Sequence, residues 1–120
     1  MKFDLVRLLG SAAALAELRA RSKGLSVWIT YLGADLNRHG GDWEELDRIA
    51  MPTRLVANGE LVHDFIDPPA STKTNRYLVP ASAVASAAVL ELAFEPKFPE
   101  KVTFVYVPIP VAELWVATQA

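Results

Sequence analysis

Two histidines lie close to acidic residues and are the first candidates for chemistry. His39 precedes Asp42, and His63 precedes Asp64 and Asp67. Two imidazoles and a carboxylate can bind a metal ion or exchange protons with a substrate. The spacing does not match a helical ligand pair, and adjacent residues on a strand, such as His63 and Asp64, point to opposite faces. We therefore predict surface histidines, with no metal site and no resident cofactor.

An acidic stretch after a glycine-rich loop is the second candidate. Residues 33–41 (GADLNRHGG) contain three glycines, so we expect a surface loop after a strand. Asp42 then caps a predicted short helix that carries Trp43, and an indole flanked by acids can anchor a protein partner. The residues predicted to contact that partner are Arg38, His39, Trp43, Glu44 and Asp47.

These two candidates lead to two functional hypotheses. The first is a small non-enzymatic protein-interaction module, such as an adaptor, inhibitor or assembly subunit, that presents residues 40–47 to another protein or to a second copy of itself. The alternative is a small-molecule enzyme or binding protein. Its pocket would lie between a helix and a curved sheet, and His39, His63 and nearby acids would supply polar groups.

The composition of the chain limits the classes of protein to which it can belong. The 120 residues are 52% hydrophobic and 22% charged, as in a packed globular domain, so we expect a soluble single domain over residues 1–120. The net charge of −2 disfavours a nucleic-acid partner, although Arg19, Arg21, Lys23 and Arg38 could contact RNA if they shared one face. The chain has no cysteine, which fits a reducing compartment, and we predict the cytoplasm.

Neither apolar stretch of the chain has the pattern of a membrane segment. Residues 8–16 resemble part of a signal peptide, but Asp4 and Arg7 interrupt the region that should be uncharged. Residues 77–94 have the length of a membrane span, but Pro80 and Glu91 are too costly for a lone bilayer helix. We predict no membrane association.

Periodicity predicts the elements that would position these residues. Apolar residues at helical spacing indicate an amphipathic helix over residues 3–22, which Gly24 would end in a left-handed conformation. Residues 25–32 are typical of a central strand, and Asn58-Gly59 predicts a hairpin turn between strands 53–56 and 60–66. A polar loop is predicted over 67–75, and a short strand over 76–79.

The C-terminal third is predicted to be mostly strand. Residues 81–88 favour a short helix, and the runs 89–94, 101–107 and 111–117 are separated by prolines, which suggests an antiparallel meander. Trp28 and Trp115 are expected in the core, as large aromatics usually are. The apolar run 102–107 could pair with a second copy as an edge strand, so a homodimer is expected.

Together these elements predict the α+β class. We expect a two-layer domain in which the N-terminal amphipathic helix packs on a mostly antiparallel sheet of about five or six strands.

Overall fold

The computed structural model describes residues 1–33, 52–67, 69, 71–101, 109 and 111–119. Its helices and strands give an α+β fold. The helices are α1 (Leu5–Leu9), α2 (Ala12–Ala20) and α3 (Ala81–Val84), with a 3₁₀ turn at Pro99–Lys101. The strands are β1 (Lys2–Asp4), β2 (Leu25–Tyr31), β3 (Thr53–Ala57), β4 (Glu60–Ile66), β5 (Lys73–Val79), β6 (Val89–Pro96) and β7 (Val111–Thr118).

The predicted N-terminal helix is interrupted, and a short strand precedes it. Asp4 caps α1 by accepting a hydrogen bond from the Arg7 amide at 3.0 Å. Gly10 ends α1 with a φ of 98°, a left-handed conformation that glycine adopts without a Cβ penalty. Ser11 then caps α2, because its side-chain hydroxyl accepts a hydrogen bond from the Ala14 amide at 3.1 Å. The prediction of one helix over residues 3–22 was therefore confirmed only in part: residues 5–9 and 12–20 are helical, but local caps at Gly10 and Ser11 divide them.

Gly24 has a different role from the predicted one. The left-handed residue after α2 is Ser22, with a φ of 50°. A Cβ built on Gly24 would lie 1.8 Å from the carbonyl oxygen of Val79, so this glycine permits close approach of β5.

The Asn58-Gly59 hairpin was predicted correctly. Asn58 and Gly59 have φ values of 48° and 82°, as the two central residues of a type I′ turn require, and they join β3 to β4. Asn58 also ties this turn to the rest of the domain. The side-chain nitrogen of Asn58 donates to the backbone carbonyls of Ala83 (2.8 Å) and Val89 (3.0 Å). Its side-chain oxygen accepts a hydrogen bond from the backbone amide of Glu91 (2.8 Å).

The described strands form two antiparallel sheets instead of one sheet of five or six strands. The four-stranded sheet has the order β1-β6-β3-β4, and the three-stranded sheet has the order β5-β2-β7. β2 is central, as predicted, with β5 and β7 paired along its two edges. The middle strand of the predicted meander, residues 101–107, lies almost wholly outside the described residues; of its other two strands, β6 pairs with β1 and β3, and β7 pairs with β2.

One cluster of buried side chains joins both sheets and the N-terminal helices. It contains Leu5, Leu15 and Leu18 from the helices, together with side chains from the inner faces of β2, β3, β5 and β6. The ring centroids of Tyr31 and Phe94 lie 6.4 Å apart and join the two sheets directly. The core therefore lies mainly between sheets, where a helix-on-sheet core was expected.

Within the described ranges, no helix is both long and apolar enough to cross a membrane. The apolar stretch 77–94 instead forms the end of β5, all of α3 and most of β6.

Several predictions fall outside the described residues. They are the loop beyond Gly33, the helix that begins at Asp42, and the strand over 102–107 with its proposed role as a dimer edge.

Candidate functional site

A cleft opens between the edge strands of the two sheets, where the inner faces of β4 and β5 separate. We call it the inter-sheet cleft. It encloses about 540 Å³, and its floor and walls include the side chains of Tyr31, His63, Phe65, Lys73, Asn75 and Tyr77. The residues that connect β4 to β5 contribute Asp67 and Pro69 to one end. Polar and aromatic side chains converge in this cleft, as they do in small-molecule sites.

Hydrogen-bonded tyrosines form the floor of the cleft. The hydroxyls of Tyr31 and Tyr77 lie 2.9 Å apart, and both side chains are buried. The Asn75 side-chain amide donates to the Tyr77 hydroxyl at 3.1 Å. Since β2 and β5 pair in antiparallel register, Tyr31 and Tyr77 come from adjacent strands of one sheet. Their polar atoms are thus held in place before any ligand arrives.

Strand alternation builds the β5 wall. Lys73, Asn75 and Tyr77 occupy every second position of β5, so they share the inner face of the sheet. The predicted loop over 67–75 was too long, because β5 already begins at Lys73. On the opposite, outer face of the sheet, a hydrogen bond between the hydroxyls of Thr30 and Thr74 (2.8 Å) connects β5 to β2.

The β4 wall places a histidine and a phenylalanine on the same side. His63 pairs with Leu55, which is fully buried, so His63 belongs to the inner face. Its ring centroid lies 5.3 Å from that of Tyr77. Phe65, two residues further along, is 47% exposed and offers an apolar surface to the cleft. The sequence had placed His63 at the surface, and the structure adds its contact with the tyrosine floor.

Asp64 is turned away from His63, as strand alternation predicts. Its carboxylate accepts a hydrogen bond from the Lys97 ammonium and lies 3.4 Å from Nε of Arg54. The hydrogen bond from Lys97, together with the positive charges of Lys97 and Arg54, lowers the pKa of Asp64 below its ordinary value of 3.8. Asp64 therefore contributes to an ion-pair network outside the cleft, and His63 and Asp64 do not form an acid–base pair.

The outer face of the three-stranded sheet carries an exposed aromatic row. Arg76, Trp28 and Trp115 are paired across β5, β2 and β7, and the Arg76 guanidinium carbon lies 5.5 Å from the centre of the Trp28 ring. Trp115 is 66% exposed and Trp28 is half-buried, so the expectation that both lie in the core was wrong. Both alternate with core residues along their strands, and therefore face away from the other sheet.

The structure separates the other candidate residues. Arg38, His39, Trp43, Glu44 and Asp47, predicted to contact a partner, all lie outside the described residues. Two of the basic residues considered for RNA contact are engaged within the fold. Arg19 donates to the carbonyls of Val84 and Ala87, and Arg21 pairs with Glu17 at 2.8 Å. No group of three metal-ligating side chains occurs among the residues that the structure describes.

Of the residues that line the cleft, His63 and Asp67 were candidates from the sequence, and the others were not. Tyr31 and Tyr77 are 46 positions apart, and each lies in a run that simply indicates a buried strand. Residues 73–76 (KTNR) are all polar, so no alternation of apolar and polar residues marks the inner face of β5 in the sequence.

Neither family models, curated protein sequences nor solved structures give a match to this chain.

Proposed function

We propose that this chain binds a small molecule in the inter-sheet cleft. The observation that carries the proposal is the hydrogen-bonded floor formed by Tyr31, Tyr77 and Asn75, beside the exposed rings of His63 and Phe65. Small-molecule sites are typically concave, between about 300 and 1,000 Å³, and combine apolar walls with a few fixed polar groups. The cleft has this size and this mixture of walls.

The arrangement favours binding because its polar atoms are already ordered. Tyr31 and Tyr77 are held by both the sheet and their mutual hydrogen bond, so a ligand would not have to immobilise them. Phe65 and His63 lie on the facing strand and would cover a ligand from the other side. This proposal retains the pocket hypothesis but moves the pocket from a helix–sheet boundary to the space between two sheets.

A ligand screen with two matched variants tests the proposal. A ligand that binds the native state raises the melting temperature in proportion to its saturation. Phe65→Ala removes an exposed ring inside the cleft, whereas Leu78→Ala removes a comparably exposed side chain on the outer face, at 55% exposure. Hits from a small-molecule library should lose their stabilising effect in Phe65→Ala and keep it in Leu78→Ala. Hits that lose it only in Leu78→Ala would contradict the proposal.

A second candidate function is protein interaction through the outer face of the three-stranded sheet, with a second copy of this chain as the partner. The supporting observation is Trp115, an indole that is 66% exposed in the same row as Trp28 and Arg76. Tryptophan and arginine are the residues that most often dominate binding energy at interfaces. This candidate keeps the predicted homodimer but uses a surface that the structure describes.

The charges of this face complement each other under two-fold symmetry. Arg76 lies on one edge strand, while Trp115 and Glu113 lie on the other. If two such faces meet about an axis parallel to the strands, each Arg76 comes to lie opposite Trp115 of the second copy, close to Glu113. Trp28 of each copy would then meet its equivalent at the centre.

The mass of the protein in solution tests this second candidate. Sedimentation at about micromolar concentration should give a dimer for the native chain and a monomer for Trp115→Ala. Leu61→Ala is the matched control, because Leu61 is 47% exposed on β4, an edge strand of the other sheet. A native chain that remains monomeric at every concentration, or a Leu61→Ala variant that dissociates equally, would exclude this interface.

Two earlier expectations remain proposals beside these. We propose a cytoplasmic location, which the absence of cysteine supports. We also keep residues 40–47 as a proposed contact surface for a protein partner, on the strength of the Trp43 environment in the sequence.

A further inference from the structure

We infer that the ligand of the inter-sheet cleft is a small organic carboxylate with an apolar body. This inference rests on the proposed function, and it adds a chemical class that the binding proposal alone does not require. It depends on three features of the cleft: an excess of positive charge, a row of hydrogen-bond donors along β5, and an apolar ring on the opposite wall.

Positive side chains outnumber acids around the cleft. Lys73 and Arg76 line it, and Asp67 is the one carboxylate among its described lining residues. Lys73 makes no ion pair with any residue in the described part of the chain. Arg76 instead lies over Trp28 and donates to the Ser26 hydroxyl at 2.9 Å, so it is fixed at the rim. The ammonium of Lys73 is thus the cation most available to a ligand.

The groups along β5 are spaced to receive one polar end of a ligand. Lys73 and Asn75 are two positions apart, which is about 6.6 Å along a strand, and a lysine side chain can reach across that interval. A carboxylate above Asn75 could therefore accept hydrogen bonds from the Lys73 ammonium and the Asn75 amide. Bonds between a charged donor and a charged acceptor are shorter and stronger than neutral ones.

The opposite wall accounts for the apolar body. Phe65 is 47% exposed and lies across from the β5 row, whereas Tyr77 on the floor is only 5% exposed. A flat aromatic or aliphatic group packed on Phe65 would bury the exposed apolar surface of that ring, and burial of this kind supplies much of the affinity of a small ligand. A fully polar ligand would leave Phe65 without a partner.

A neutral ligand of the same shape should bind more weakly. Filling the cleft removes water from around Lys73, and a charged group that loses water without gaining an acceptor carries a desolvation penalty. A carboxylate offsets that penalty, whereas a carboxamide offsets only part of it. The expected preference is about tenfold or more, in line with the usual strength of hydrogen bonds to charged groups.

Matched probes test this inference. The native chain is titrated with 3-phenylpropanoate and with its carboxamide, by calorimetry and by tryptophan fluorescence, since Trp28 lies beneath the rim residue Arg76. Lys73→Met removes the ammonium, and Lys2→Met is the control, because Lys2 is exposed on β1, away from the cleft. We expect the carboxylate to bind about tenfold more tightly, and the preference to vanish in Lys73→Met alone. The preference should also decrease as salt is added.

The outcomes separate this inference from the proposal on which it depends. If both probes bind equally in the native chain and both are lost in Phe65→Ala, the cleft binds small molecules and the carboxylate class is wrong. If the carboxylate is preferred equally in the native chain and in Lys73→Met, the recognition does not use Lys73 and the inference is also wrong. If neither probe binds at millimolar concentration while other library compounds do, the class is excluded. If no compound binds, the proposed function fails as well.

Discussion

The tyrosine floor gives the sharpest energetic prediction. Tyr77→Phe removes one hydroxyl and keeps the ring that contacts His63, so packing in the cleft should change little. The hydroxyl takes part in two hydrogen bonds, with Tyr31 at 2.9 Å and Asn75 at 3.1 Å. The variant therefore isolates the contribution of the network to the free energy of unfolding.

The magnitude follows from the number and type of bonds lost. A neutral hydrogen bond contributes about 0.5–1.5 kcal/mol net, so two give about 1–3 kcal/mol. Asn75 is half-buried and can turn towards water, which places the expected loss near the lower half of that range, at about 1.5 kcal/mol. For a domain of this size, that corresponds to a decrease of about 6 °C in the melting temperature.

Urea unfolding followed by circular dichroism measures this loss, together with Tyr31→Phe and the double variant. The midpoint should decrease in Tyr77→Phe without a change in the m-value, which would indicate unchanged compactness. The two hydroxyls should show a coupling energy of about 1 kcal/mol in the double-mutant cycle. A loss below about 0.3 kcal/mol, with no measurable coupling, would refute the claim that these hydroxyls form an ordered floor.

Three further predictions concern residues outside the cleft that stabilise the fold of the domain. Asn58→Gly keeps the left-handed backbone but loses the bonds to Ala83, Val89 and Glu91, so urea unfolding should show a loss of about 2 kcal/mol. Asn58→Ala should lose about 1 kcal/mol more from strain at its φ of 48°. Gly24→Ala should cost more than about 3 kcal/mol, since its Cβ would meet the Val79 carbonyl, while Gly10→Ala, with open space around it, should cost about 1–2 kcal/mol. Equal losses at the two glycines would contradict the close approach of β5. The pKa of Asp64 is lowered in the folded state, so its carboxylate stabilises the fold at neutral pH. This stabilisation is lost as the pH falls through the pKa of Asp64 in the folded state, which lies below 3.8. The difference in free energy of unfolding between the native chain and Asp64→Asn should therefore shrink on acidification. A difference that stays constant down to pH 2 would show that the Asp64–Lys97 contact does not stabilise the fold.

Local signals predicted the local structure. The Asn58-Gly59 turn could be read directly because two adjacent residues decide it, and the strand at β2 could be read from its β-branched and aromatic composition. The break in the N-terminal helix is also specified by neighbouring residues, because the left-handed Gly10 is followed by the capping Ser11. It was missed because apolar residues continue at helical spacing across it.

Long-range pairing could not be predicted in the same way. β1 pairs with β6 through contacts such as that between Lys2 and Glu91, which lie 89 positions apart. Nothing in either segment specifies the other, since both are simply compatible with a half-buried sheet. The division into two sheets therefore escaped the sequence analysis, and with it the cleft between their edges.

The exposed tryptophan was missed for a related reason. Trp115 alternates with Leu114 and Val116, and composition alone favours burial of an indole. Only the sheet position shows that Trp115 points outwards while its neighbours pack towards the core.

The most direct test of the central claim is an NMR titration of the native chain with the strongest binder from the ligand screen, using ring signals of histidine, tyrosine and phenylalanine. We expect the largest shifts at His63, Phe65 and Tyr77, with the Asn75 side-chain amide affected at the same ligand concentrations. Shifts that are largest at Trp115 and Leu78, with His63 and Tyr77 unchanged at saturation, would place the binding site on the outer face and contradict binding in the inter-sheet cleft.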